Sequence, residues 1–143
     1  MKCHRSTVVA LATLSCALTA SATAAGFKIV ANPSVPVASL SRSAASSAFL
    51  KKTDKWPDGT PVVPVDLGHD SQLRQAFCRE VHDKSLAMVD AYWQKQVFTG
   101  RTTPPLTKAT DADVIAYVKS VPGAIGYVSS TTETSGLKEI RLE

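Results

Sequence analysis

The 143-residue sequence is short of cysteine and aromatic side chains, and after its opening it has no long apolar run. Each shortage removes a class of protein. Of three cysteines, Cys3 and Cys16 fall in an N-terminal stretch where Lys2 and Arg5 precede an uncharged, apolar segment ending in Ser21-Ala-Thr-Ala-Ala. That is the pattern of a secretory signal peptide over residues 1–25, cleaved near Ala25 or Gly26. Cleavage leaves Cys78 as the only thiol in an oxidising compartment, which excludes an intramolecular disulfide. Thr13-Leu-Ser-Cys16 lacks the leucine that opens a lipidation motif, and the residues after Cys16 continue the apolar signal. No later segment approaches the roughly 20 apolar residues a membrane span needs.

Removal of the first 25 of 143 residues leaves 118, enough for one domain with a modest core. Lys2 and Arg5 leave with the signal, so the formal charge of +4 falls to +2. The rest contains no run of Lys and Arg interleaved with aromatics, which argues against nucleic acid. Paired catalytic carboxylates and a Gly-rich nucleotide loop are also missing, and no cofactor is expected. His69-Asp70-Ser71 holds the three residue types of a hydrolase triad, but adjacent residues cannot form that geometry. Cys78 and His82 stand at helical spacing with only His69 near them in sequence, too few ligands for a metal site. The expected protein is not an enzyme.

What is present alternates between strand and helix. Phe27-Lys-Ile-Val-Ala31 reads as a strand stopped by Asn32-Pro33. A hydroxyl-capped helix should begin near Ser39 to Ser41 and run to Phe49, packing through Leu40, Ala44, Ala48 and Phe49. Trp56-Pro-Asp-Gly59 is a turn that delivers the chain into a strand, Val62-Val-Pro-Val-Asp66, whose Pro64 suits an edge or a strand start. Asp70 is positioned to cap a helix from Ser71 to His82, with Leu73, Phe77 and Val81 on one face. Ser85 opens the next helix, to about Phe98, with Leu86, Val89, Trp93 and Val97 as its apolar stripe. Thr110 and Asp113 open a helix over residues 111–121, Pro122-Gly123 stops it, and two strands come after it at 124–128 and 137–142. This alternation predicts an α/β fold with a single mixed sheet flanked by helices.

Two segments, Phe49 to Ser71 and Pro122-Gly-Ala-Ile-Gly-Tyr-Val128, resemble in order and spacing the second portion of the phosphate-binding subunits of bacterial phosphate importers, which are type II periplasmic binding proteins. The resemblance covers essentially all of residues 26–143 and implies one lobe of that fold. In that family an Asp-Gly-Ser-Gly-Thr turn holds phosphate through amides and hydroxyls. Here Asp70 and Ser71 match its start, while Gln72 and Leu73 stand where Gly and Thr would. Asp66-Leu67 replaces the Arg that usually precedes the turn, and an uncompensated Asp66 would repel phosphate.

The candidate ligand site is therefore the turn leading into the helix at Ser71. A helix N-terminus offers unpaired N–H groups and the positive end of the macrodipole. Asp70, Ser71, Gln72 and Arg74 are its residues. Arg101, in the loop Phe98 to Pro105, would join them if it faced the same end of the sheet. The resemblance implies a periplasmic protein that binds a small oxyanion such as phosphate, as a component of transport or sensing, with a membrane transporter or envelope protein as partner. The alternative is an interaction module that keeps the fold without the ligand, with Trp56, Tyr92 or Trp93 as docking anchors. Lys51-Lys52 reads as a solvated turn.

Overall fold

The computed structural model describes residues 26–143; the predicted signal peptide, with Cys3 and Cys16, lies outside them. The chain runs β1 (Phe27–Ala31), β2 (Ser39–Leu40), α1 (Arg42–Phe49), β3 (Val63–Leu67), α2 (Gln72–His82), α3 (Leu86–Phe98), β4 (Leu106–Lys108), α4 (Asp111–Ser120), β5 (Ala124–Ser129) and β6 (Lys138–Leu142). One six-stranded sheet has the order β2-β6-β1-β5-β3-β4. β3 is parallel to β4 and β5, and β1 is antiparallel to β5 and β6. The mixed α/β sheet expected from the alternation is what forms. No helix among the described residues is long and apolar enough to cross a membrane.

The sheet's two faces are covered by different helices because side chains alternate along each strand. Gly126 of β5 faces α4, where a Cβ would meet Val65 at 2.7 Å and Val114 at 2.9 Å. Tyr127 faces the other way, stacked on Phe77 of α2 with ring centroids 3.9 Å apart, and Phe27 and Phe49 pack edge-on around that pair. Asp66 of β3 shares this face and accepts a hydrogen bond from the Tyr127 hydroxyl.

The two segments that carry the family resemblance meet in space. The buried Trp56 indole donates from Nε1 to the Gly123 carbonyl at 2.9 Å, and Val63 pairs with Ala124. Gly123 has φ of +78°, and a Cβ there would lie 2.1 Å from the Pro61 carbonyl oxygen. Glycine is required by both conformation and approach.

Several local expectations are corrected. Ser39–Leu40 forms the short strand β2 beside β6, leaving Ser41 to cap α1 by accepting from the Ala44 amide. Ala45, not Ala44, lies on the buried face of α1. The cap of α2 is Ser71, whose hydroxyl accepts from the Arg74 amide at 3.2 Å, while the Asp70 side chain is fully exposed. Val97 is 52 % exposed and Leu86 only half-buried, so the fully buried stripe of α3 is Val89 and Trp93. Pro64 sits near the start of β3, before the pairing with β4 begins at Val65, so no ladder bond to β4 is asked of it. The three-residue strand β4, directly after Pro104-Pro105, carries too little sequence pattern to be seen in advance.

Candidate functional site

β3, β4 and β5 run parallel, so their C-terminal ends lie together at one edge of the sheet, where open α/β folds place their ligands. From there the chain passes from β3 through Gly68, His69 and Asp70 into α2. The first helical amides, those of Gln72 and Leu73, precede any partner four residues back. Ser71 already uses its hydroxyl as the cap. Gln72 is exposed and Leu73 half-buried, so this terminus is open to solvent on one side.

Arg74 does not project freely into the opening. Its side chain is 9 % exposed, with Nε 3.2 Å from Asp66 Oδ2 and one terminal nitrogen 3.6 Å from Asp90 Oδ1. The Nε hydrogen has no hydrogen-bond partner despite that proximity. The expectation that Asp66 stands uncompensated is thus overturned: Arg74 is its counter-charge, and Tyr127 and the Leu67 amide donate to it as well. Burial still raises the Asp66 carboxyl above its ordinary value, against the opposing pull of Arg74 and the Tyr127 hydrogen bond. The same burial, with the Asp66 charge adding to it, pushes the Tyr127 phenol up.

Asp90, the single acid on α3, was not singled out in the sequence. It binds His69 as well, with Oδ2 2.9 Å from His69 Nε2, so one carboxylate joins the β3–α2 turn to α3. Next to this polar chain opens a hollow of about 730 Å³, lined by His69, Arg74, Asp90, Trp93, Gln94, Val97, Phe98, Pro104 and Thr107. Its wall beyond the charged end is largely apolar, and Phe98 at its rim is 93 % exposed.

Arg101 lines a different hollow, of about 550 Å³, with Lys51, Lys52, Asp54, Tyr92, Gln96 and Thr102. The candidate residues therefore separate. Asp70, Ser71, Gln72 and Arg74 stay together at the start of α2, and Arg101 is grouped with the lysine pair instead.

Trp56 is buried and hydrogen-bonded, which removes it as a docking anchor. Trp93 is 5 % exposed, and Tyr92 is tied by its hydroxyl to the Leu50 carbonyl at 2.9 Å. Cys78 is buried, and desolvation pushes its thiol up to about 11; His82 Nδ1 faces Ser46 Oγ at 2.8 Å. Among the described residues no three His, Cys, Asp or Glu side chains are grouped as metal ligands.

The fold is that of one lobe of the phosphate ABC transporter substrate-binding proteins. A candidate protein of that kind from Clostridium perfringens, solved with phosphate bound, superposes with a TM-score of 0.66 at 19% identity over 82% of this chain and 44% of its own. An ABC-type phosphate transport receptor from Vibrio cholerae gives 0.59 at 16% identity, over 82% and 46%. A possible phosphate-binding protein from Planctomyces limnophilus DSM 3776 gives 0.61 at 16% identity, over 82% and 41%. The chain thus spans less than half the length of these structures. No family model and no curated protein sequence matches it.

Proposed function

We propose that this chain is a periplasmic, non-enzymatic binding lobe that takes a small oxyanion such as phosphate at the start of α2, as a component of transport or sensing. The observation that carries this reading is the place of the Ser71-capped N-terminus: it lies at the C-terminal end of β3 with the Gln72 and Leu73 amides unclaimed by the helix. The amides and the macrodipole supply the attraction, worth roughly 0.3–1 kcal/mol at an exposed terminus. Arg74 adds little net charge because Asp66 and Asp90 flank it. Binding is accordingly weak and salt-sensitive.

The test is a thermal-shift titration with phosphate, with sulfate alongside at constant ionic strength, since a ligand of the folded state raises apparent stability. Saturable stabilisation by phosphate that is reduced in Ser71→Ala and little changed in Arg74→Lys supports the reading. No shift at millimolar phosphate, on the order of the weakest useful affinity, removes it.

A second reading is favoured by one specific observation, the exposed Val97 and Phe98 beside the largely apolar hollow. In it the lobe keeps the fold and docks on an envelope or transporter protein through that rim. Loss of association in Phe98→Ser, with no phosphate-dependent shift in the parent protein, separates this reading from the first.

A further inference from the structure

Lys51 and Lys52 are neighbours in sequence, yet both line the hollow that holds Arg101. Consecutive side chains diverge on a helix and oppose each other on a strand, so a shared hollow requires an unusual backbone. Lys51 supplies it, with φ of +52°, the left-handed region that costs a non-glycine residue roughly 1 kcal/mol. Lys51 Nζ also reaches the Pro104 carbonyl at 3.5 Å, and Lys52 Nζ lies 5.7 Å from the centre of the Tyr92 ring. Among the described residues none of the three cations has a carboxylate within ion-pair distance, although Asp54 lines the same hollow.

The local charge does not cancel. Lys51 and Lys52 follow the end of α1, and Arg101 follows the end of α3. Each helix C-terminus carries roughly half a negative charge. Two termini and Asp54 therefore offset about two of the three positive charges, leaving an excess of about one in a concave site. Two ammonium groups and one planar guanidinium suit phosphate oxygens, and Arg101 can meet two of them side by side.

We propose that this hollow is an anion site of its own, distinct from the start of α2, for a ligand bearing clustered phosphate charge: a bridged phosphate such as pyrophosphate, or a phosphomonoester headgroup at a lipid surface. Excess positive charge in a concave site favours a multiply charged phosphate group, free or borne by a lipid, over a singly charged anion. Because no residue of the α2 turn lines this hollow, the proposal stands apart from the function given above.

The experiment is calorimetric titration of the protein with pyrophosphate at constant ionic strength, using the parent, the double variant Lys52→Glu/Arg101→Glu, the neutral pair Lys52→Gln/Arg101→Gln, and Ser71→Ala. A parallel sedimentation assay uses vesicles of phosphatidylcholine alone and of phosphatidylcholine with phosphatidate. Lys52 and Arg101 are exposed, and circular dichroism checks that each variant is folded. Binding that falls at least about tenfold in both double variants, and by more than in Ser71→Ala, supports the site. Pyrophosphate binding identifies a soluble ligand, and binding confined to phosphatidate vesicles identifies a lipid source. Equal binding in parent and double variants, loss in Ser71→Ala instead, or no binding to either probe overturns the proposal.

Discussion

Arg74 Nε lies 3.2 Å from Asp66 Oδ2, and the same guanidinium reaches Asp90, so one side chain on α2 holds β3 and α3 together by charge. That pairing makes Arg74 poor as a free anion ligand. The pair is nearly buried, with side chains 9 % and 13 % exposed, and removing one member leaves the other charge without its partner.

Arg74→Met should therefore destabilise the fold by about 3 kcal/mol at neutral pH, because Asp66 keeps its burial and loses its counter-charge. Asp66 has a raised pKa, so its contribution is most favourable below the unfolded value of 3.8 and is lost as pH rises through the folded value. The variant should recover part of its stability on acidification, and urea denaturation across that range reads the effect. Equal losses at neutral and acid pH would show that packing, not charge, sets the cost.

Gly126→Ala places a Cβ 2.7 Å from Val65 and 2.9 Å from Val114, between β5 and α4. Overpacking of this kind costs about 1–3 kcal/mol, since both valines are fully buried and have nowhere to move. Gly123→Ala should cost more. It meets a backbone carbonyl at 2.1 Å and must adopt a φ of +78°. Denaturation midpoints of the two variants, compared with the parent, give this order directly.

The architecture was legible where a residue type has a mechanical duty. Trp56, Gly123 and Gly126 lie in the two segments of family resemblance, and the Trp56–Gly123 hydrogen bond and the close approach of Val65 and Val114 to Gly126 explain why those residues stand there. The helix starts at Ser85 and Thr110 could be read from hydroxyl caps. The α2 start was misread by one residue because Asp70 and Ser71 are both good caps, and only the turn from Gly68 decides between them. The site was less legible. The pairing of Arg74 with Asp66 and Asp90, and the meeting of Arg101 with Lys51 and Lys52, join residues on separate elements. No local periodicity encodes such encounters.

Phe98 is 93 % exposed at the end of α3, so Phe98→Ser should change stability by no more than about 0.5 kcal/mol. Trp93, five residues earlier, is 5 % exposed, and Trp93→Ala should cost about 3–5 kcal/mol. Thermal unfolding of the two variants measures the contrast. A large loss in Phe98→Ser would mean that the rim of the hollow is covered in the folded protein.

His82 is a buried titratable group whose environment opposes its protonation. It is 9 % exposed at the end of α2, its ring packs edge-on to Phe77, and Nδ1 faces Ser46 Oγ at 2.8 Å. Burial first, then the charges of Lys84, Lys52 and Arg74, lowers its pKa from 6.5 to about 4. A depressed pKa means the folded state resists protonation that the unfolded chain accepts. The stabilisation is complete above 6.5 and is lost as pH falls toward about 4, by on the order of 3 kcal/mol in all. Asp66 acts in the opposite sense, with its gain on acidification, so the parent protein shows the difference of the two. Replacing His82 by Gln removes the titrating group while keeping a polar atom for Ser46. Its stability should be lower at neutral pH but much flatter between 6.5 and 4, and the fall of the parent-minus-variant difference across that range reports the protonation of His82. Parallel curves would mean that His82 titrates alike in the folded and unfolded chain, and that the acid limit lies with the carboxylates.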